Sequence, residues 1–206
     1  MVGRVRLATA ENLATELILP ALPEFRRLHP GITLELVTDI TTVNLHRRDA
    51  DLAIRMVKPE RGHVTLRRLG TLGYGLYGSV DYAAQRKSSP DAGDYDSDAF
   101  ITWGEMQSHL PAAQWSERIL QGREPALTTT SVSTQVAAAR AGLGLAVLPH
   151  FVALNAGLVC VTSALGVDQP IYLVIQTDVT QSGRIRAVAD FMADLVTRNR
   201  TRLSGS

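Results

Sequence analysis

A chain of 206 residues, 45% hydrophobic and 20% charged, is long enough for one large domain or two small lobes with real cores. A net charge of +1 gives no argument for a nucleic-acid or membrane surface, and no run of about 18 apolar residues provides a membrane span. The start, Met1-Val2-Gly3-Arg4-Val5-Arg6, lacks the apolar stretch of a secretion signal. Cys160 is the single cysteine, so no disulfide closes within the chain, which suits a reducing cytoplasm. Its neighbours Leu158, Val159 and Val161 predict a buried, inert thiol.

Arg4 to Thr9 opens on polar–apolar alternation and predicts a strand. Thr9 to Asn12 supplies helix-cap chemistry. A helix follows with Leu13, Leu17, Phe25 and Leu28 inward, and Pro20 and Pro23 predict that it kinks or splits. His29-Pro30-Gly31 ends it. Ile32 to Thr38 reads as a second strand, Thr42 to Arg48 as a short helix, and Asp51 to Arg55 as a third strand. That order is the signature of a parallel sheet with helices on its faces. Leu69 to Ser79 reads as extended, and residues 86–98 as a polar surface loop. Phe100 to Trp103 and Ala126 to Thr130 are further strands. Ser133 to Ala141 is a helix with Gly142 in the left-handed position after it, leading into a strand over Leu143 to Leu148. Ile171 to Thr177 is a strand. Arg184 to Arg198 is an amphipathic helix with Ile185, Val188, Phe191, Met192 and Leu195 on one face. Arg198, Arg200 and Arg202 read as a solvated helix end, and Leu203-Ser204-Gly205-Ser206 as a polar tail.

Few short motifs carry chemistry. Gly73-Tyr74-Gly75-Leu76-Tyr77-Gly78 matches the dinucleotide fingerprint in letters, but its glycines lie inside an extended segment and no helix follows in the required place. A strand whose small residues face a close neighbour explains it better. His29, His46, His63, His109 and His150 show no metal-ligand spacing, and one cysteine cannot complete a cysteine-rich zinc site. No G-x-S-x-G elbow exists. Neither an enzyme nor a cofactor is expected.

The ordered set of segments says more than any one of them. Gly3-Arg4-Val5-Arg6-Leu7-Ala8, Ile18-Leu19-Pro20-Ala21-Leu22-Pro23-Glu24-Phe25 and His29-Pro30-Gly31-Ile32 come first. Asp49-Ala50-Asp51-Leu52-Ala53-Ile54-Arg55, Leu69-Gly70 with Tyr77-Gly78-Ser79-Val80-Asp81-Tyr82, and Ala141 to Pro149 follow in order along nearly the whole chain. Together they resemble the effector-binding domain of LysR-type transcriptional regulators. The resemblance implies an α/β, two-lobed, type-2 periplasmic-binding-protein-like fold with two crossover strands. It places lobe one at residues 1–76 and 178–206 and lobe two at residues 77–177. The family's DNA-binding helix-turn-helix would precede residue 1 and is absent from this chain, so DNA is a partner only through that module. A homodimer or tetramer is implied, with the Leu13–Leu28 and Ser133–Ala141 helices as candidate surfaces.

The function implied is ligand sensing, in which a small metabolite in the interlobe cleft controls DNA binding and transcription by the longer protein. In α/β lobes, ligands gather outside the carboxyl ends of strands, where helix N termini offer free N–H groups. Ala10, Glu11 and Asn12 after the first strand, Thr102, Trp103 and Gly104, and Ser131, Val132 and Ser133 qualify, and by similarity these line the family's cleft. Thr41 and Thr42 add hydroxyls, and Arg55 could fork onto a carboxylate. Capping alone accounts equally well for Thr9, Asn12, Thr42, Ser131 and Ser133. A salt bridge would account for Arg55, and core packing for Trp103. Glu11 disfavours a purely anionic ligand and could hold an amine. The rival readings are a solute-binding protein of a transport system and an enzyme on the same fold.

Overall fold

The structure, a computed structural model, describes residues 1–38, 50–59, 63–86 and 94–205. The chain forms two compact units. The first comprises Met1–Leu72 and Gln169–Arg200; the second comprises Gly73–Asp168 and the residues from Thr201 on. The change of unit thus falls at Leu72–Gly73 and Asp168–Gln169.

The first unit holds a five-stranded sheet with β1 (Gly3–Ala8), β2 (Ile32–Val37), β3 (Leu52–Arg55), β4 (Val64–Leu72) and β10 (Gln169–Gln176) in the order β2-β1-β3-β10-β4. β1 pairs parallel to β2 and β3, with Leu7 opposite both Leu36 and Leu52, and β10 runs antiparallel to β3 and β4. Burial of Val5, Leu7, Leu52, Ile54 and Leu173 fixes that register, because a one-residue slip would carry each to the opposite face, which packs small residues such as Ala8 and Ala53. α7 (Gly183–Arg198) packs over β1 and β4 through its apolar stripe.

The helix after β1 is not split by its prolines. α1 (Glu11–Leu13) runs through a π-helical turn over Ala14–Ile18 into α2 (Leu19–Leu28), with Pro23 inside. In an unbroken α-helix the Pro20 ring would strike the carbonyl of Glu16. The wider turn relieves this, with the Leu19 N–H reaching back five residues to the Ala14 carbonyl. The Thr15 hydroxyl donates to the Glu11 carbonyl at 3.0 Å. The expected helix over Thr42 to Arg48 lies outside the described residues.

The second unit's sheet contains β5 (Tyr74–Gly78), β6 (Phe100–Trp103), β7 (Leu127–Thr129), β8 (Leu145–Pro149) and β9 (Val159–Thr162) in the order β7-β6-β8-β5-β9. Consecutive residues feed opposite faces. Leu76, Phe100, Leu145 and Val147 enter one core with Tyr95, Trp115 and Leu120. Tyr77, Ile101, Ala146 and Leu148 enter the other with Ala138, Ala139 and Leu158. That is the period-two alternation of a sheet covered on both sides. α4 (Pro111–Leu120) covers the first face and α5 (Val132–Arg140) the second. Gly142 follows α5 at φ +80, as its position predicts.

Two readings of this unit need correction. Cys160 is exposed, because β9 is an edge strand and its apolar neighbours in sequence do not cover it. Desolvation still pushes its thiol pKa up. The loop after α3 (Val80–Gln85) is not wholly solvated. Arg86 grips the Asp98 carboxylate through Nε at 3.0 and 3.1 Å and Nη2 at 2.7 Å, both side chains are about 95% buried, and Tyr82 Oη adds a 3.3 Å bond. The Arg86 guanidinium also lies 5.6 Å from the Tyr95 ring centroid. Asp98→Asn leaves that guanidinium buried without its counter-charge and should cost about 3–5 kcal/mol in urea unfolding. Glu24→Gln, which breaks the exposed pair with Arg198, should cost under about 1 kcal/mol. Equal losses would mean that Arg86 and Asp98 are not a sealed pair.

His150 opens α6 (His150–Asn155) and is buried, with Nδ1 at 2.6 Å from Tyr77 Oη. Desolvation lowers its pKa from 6.5, with the Asp168 carboxylate opposing. The unfolded chain therefore binds this proton more readily, and the stabilising contribution present at neutral pH is lost as pH falls below the ordinary histidine value. Between pH 7 and 5, the melting temperature of the native chain should fall more than that of His150→Gln. Parallel curves would show that His150 does not carry the dependence.

Candidate functional site

In the first unit, β1 and β3 run parallel, so the residues that leave them emerge on one edge. Thr9 follows β1 and Ala10 is the N-cap of the helix, with no side-chain cap. Sequence reading gave Thr9–Asn12 the capping role, and the structure corrects it. The Asn12 Oδ1 accepts only from its neighbour Leu13 N–H, at 2.9 Å, and Glu11 is exposed. Thr9 is 0% exposed, its backbone N–H donates to the Val37 carbonyl, and its hydroxyl has no hydrogen-bond partner among the described residues. A buried hydroxyl without a partner costs about 1–3 kcal/mol. Sequence reading did not single out Thr9 beyond capping; the visible signal for its hydroxyl was its place at the end of a strand, just before a helix.

Arg55 ends β3 on this same edge, opposite Tyr172 of β10. Its side chain is partly buried, and desolvation lowers the guanidinium pKa without bringing it near neutrality. Thr41 and Thr42 lie outside the described residues.

In the second unit the parallel strands β6 and β7 bring two segments together. Trp103 lies opposite Thr129, and the Gly104 N–H donates to the Thr129 carbonyl at 3.0 Å. Thr102 is buried, and Trp103 packs against the Leu76–Phe100–Trp115 core with its indole N–H unpartnered. Gln107 Oε1, in the turn after Gly104, and Gln135 Nε2, on α5, are likewise buried and unpartnered. Neither glutamine stood out in the sequence. Ser131 caps α5: its hydroxyl accepts from the Thr134 N–H at 3.2 Å and contacts the hydroxyls of Ser133 and Thr134. Val132 is the first residue of that helix.

Among the described residues no group of three or more histidine, cysteine, aspartate or glutamate side chains could hold a metal ion. No helix among them is long and apolar enough to cross a membrane. Gly73 to Gly78 form the approach to β5 and β5 itself, and His150 fills the space beside Gly75.

The family model described as the LysR substrate binding domain matches residues 1–197. The chain belongs to the LysR substrate-binding domain family. It is 26% identical over 194 residues to the Mau operon transcriptional activator of Paracoccus denitrificans, covering 92% of this chain and 64% of that protein. It is 31% identical over 170 residues to the HTH-type transcriptional regulator YhjC of Escherichia coli, covering 75% and 54%. The chain thus spans less than two thirds of these relatives. The CrgA regulatory domain of Neisseria meningitidis, a LysR-type transcriptional regulator, superposes with a TM-score of 0.76 at 21% identity, covering 94% of this chain and 98% of that one. Full-length AphB of Vibrio cholerae gives 0.71 at 18%, covering 94% and 68%. This LysR substrate-binding domain has the two-lobed periplasmic-binding-protein-like fold, and its relatives are transcriptional regulators rather than enzymes.

The two helix N termini should respond differently to truncation. In this LysR domain, Ser131→Ala removes a working cap and should cost about 1 kcal/mol. Thr9→Val removes a hydroxyl that bonds nothing and should leave the melting temperature of the ligand-free chain unchanged or raised. A clear drop for Thr9→Val would show that the hydroxyl is paired.

Proposed function

We propose that this LysR effector-binding domain senses a small carboxylate-bearing metabolite and thereby controls DNA binding and transcription by a longer protein. The buried, unpartnered Thr9 hydroxyl is the observation that carries this reading. It stands beside a helix whose N-cap residue, Ala10, offers no side-chain cap, on the sheet edge that also carries Arg55. An anion there would accept from the Thr9 hydroxyl and from N–H groups at the positive end of the helix dipole. Arg55 would supply a planar fork at the end of β3. Glu11, in the same first turn, favours a ligand that also bears an amine. In the second unit, Thr102, Trp103, Gly104, Ser131, Val132 and Ser133 form the other proposed ligand edge. Trp103 would add an apolar wall and Gln107 an acceptor.

DNA contact belongs to a helix-turn-helix module outside this chain, in line with the HTH-type description of the YhjC relative. The protein acts in the cytoplasm as a homodimer or tetramer, without a membrane or a cofactor. Ligand binding shifts the domain's conformational population by no more than the ligand's differential affinity for its states.

Melting of the chain against benzoate, succinate, glutamate and anthranilate, with Arg55→Ala in parallel, tests the proposal. A ligand at about 100 times its Kd adds about 2.7 kcal/mol. For a chain of this size that is a rise of roughly 5–10 °C. A rise that disappears in Arg55→Ala supports the carboxylate site. A rise retained in the variant leaves a sensor whose clamp lies elsewhere. No rise with any of the four removes the support for a carboxylate effector.

A further inference from the structure

At the end of β1 away from Thr9, the first unit holds an open cavity of about 530 Å³, within the size range of small-molecule sites. β1 starts at Gly3 and Thr9 follows its last residue, so about 20 Å of strand separates this cavity from the proposed effector edge. The C-terminal end of α2 and one face of α7 line it. Met1 closes one side. A Cβ on Gly31 would meet the Met1 carbonyl oxygen at 2.5 Å, and one on Gly183 the Met1 sulfur at 2.9 Å.

The lining is largely apolar. The rings of Phe191 and His29 face it from a shared support, with centroids 5.1 and 5.0 Å from that of Phe25. Leu28 is 51% exposed and Met1 67%, although both line a concave surface. Apolar surface left wet in a cavity favours an apolar occupant.

The charges define the rest of that occupant. Arg186, Asp190 and Asp194 follow one another at four-residue intervals along α7, on the face that lines the cavity. Asp194 is satisfied, since Arg198 Nε lies 3.1 Å from its carboxylate and Arg198 also pairs with Glu24. Arg186 and Asp190 form no ion pair among the described residues, either with each other or with another side chain. Their Cβ atoms are about 6 Å apart at this spacing, but a base before an acid is the weaker order on a helix. Arg186 also stands at the end of a first turn that has no acidic side chain and no side-chain cap from Ser182. Positive charge there opposes the helix dipole. A carboxylate relieves that excess, an ammonium serves Asp190, and an α-amino acid carries both on neighbouring atoms.

We propose that this cavity binds a free apolar α-amino acid, with its carboxylate on Arg186, its ammonium on Asp190 and its side chain against Leu28, Phe191 and Met1. The site lies wholly within the first unit and does not depend on the effector reading.

Titration of the isotope-labelled chain with L-phenylalanine, followed by amide chemical shifts, tests the proposal. Saturable shifts are expected at Gly183, Ala187, Phe191 and His29. Arg186→Gln and Asp190→Asn should each weaken binding by about fivefold or more. Hydrocinnamate lacks the ammonium and phenethylamine lacks the carboxylate, and each should bind more weakly by about the same factor. Arg186 and Asp190 are exposed, so the core survives either substitution. Ala187→Trp, which fills the cavity from a half-buried position, should abolish the His29 shift. Shifts confined to the Thr9, Ala10 and Asn12 amides would put the amino acid at the effector edge and overturn the proposal. Equal binding of the three compounds, or full affinity in both charge variants, overturns it too. If the same amides move when the chain alone is concentrated, a second copy covers this face and the proposal falls. No saturable shift anywhere removes it.

Discussion

Two short contacts bracket the points where the chain changes units, and much of the second unit depends on them. Leu72 pairs with Gln169 on one side, and the Tyr74 N–H donates to the Asp168 carboxylate on the other. The second contact, with the pairing of Tyr74 opposite Pro149, sets the register of β5. That register sends Leu76 into one core and Tyr77 into the other, and Tyr77 in turn holds His150. A shift by one residue would exchange the two faces and set a tyrosine against the Phe100–Trp115 cluster. The glycines at 73 and 75 follow from the same geometry, since the ring and backbone packed against them leave no place for a side chain.

Alternation and helical periodicity made most elements legible in advance. The apolar face of α7 and the turn from α5 through Gly142 into β8 needed nothing beyond local pattern and one left-handed glycine. Pro20 and Pro23 predicted a kink or a split, and a split would have exposed Leu17, Ile18 and Phe25, all buried. Widening one turn kept them inside at the cost of a few poorer hydrogen bonds. Tertiary burial outweighed the local rule.

The other surprises share one cause: partners far away in sequence. Asp98 sits in a polar stretch that reads as solvated, and only the fold brings the Arg86 fork to it. Leu203 looks like the start of a frayed end until Gly73, 130 residues earlier, offers its N–H. Cys160 fails in the opposite direction, since apolar neighbours along the strand say nothing about whether another strand covers it. Edge position is a property of strand order, which composition does not encode.

The proposed site shows the same division between local and non-local information. Ser131 and the Thr9–Asn12 segment carry the same kinds of residue before a helix, and from sequence they deserve the same reading. The fold separates them. Ser131 turns its hydroxyl back to Thr134 and satisfies its own helix. Thr9 is drawn fully under the end of the sheet by its backbone bond to Val37, and its hydroxyl is left with nothing to bond. Asn12 closes onto its immediate neighbour instead. The first unit therefore retains unmet hydrogen-bonding capacity at a helix terminus, while the corresponding terminus in the second unit has used its own. If an anionic group binds this domain, hydrogen bonding favours the first unit. The second unit's unmet groups are of another kind. An indole N–H, a glutamine carbonyl and a glutamine amide are all neutral.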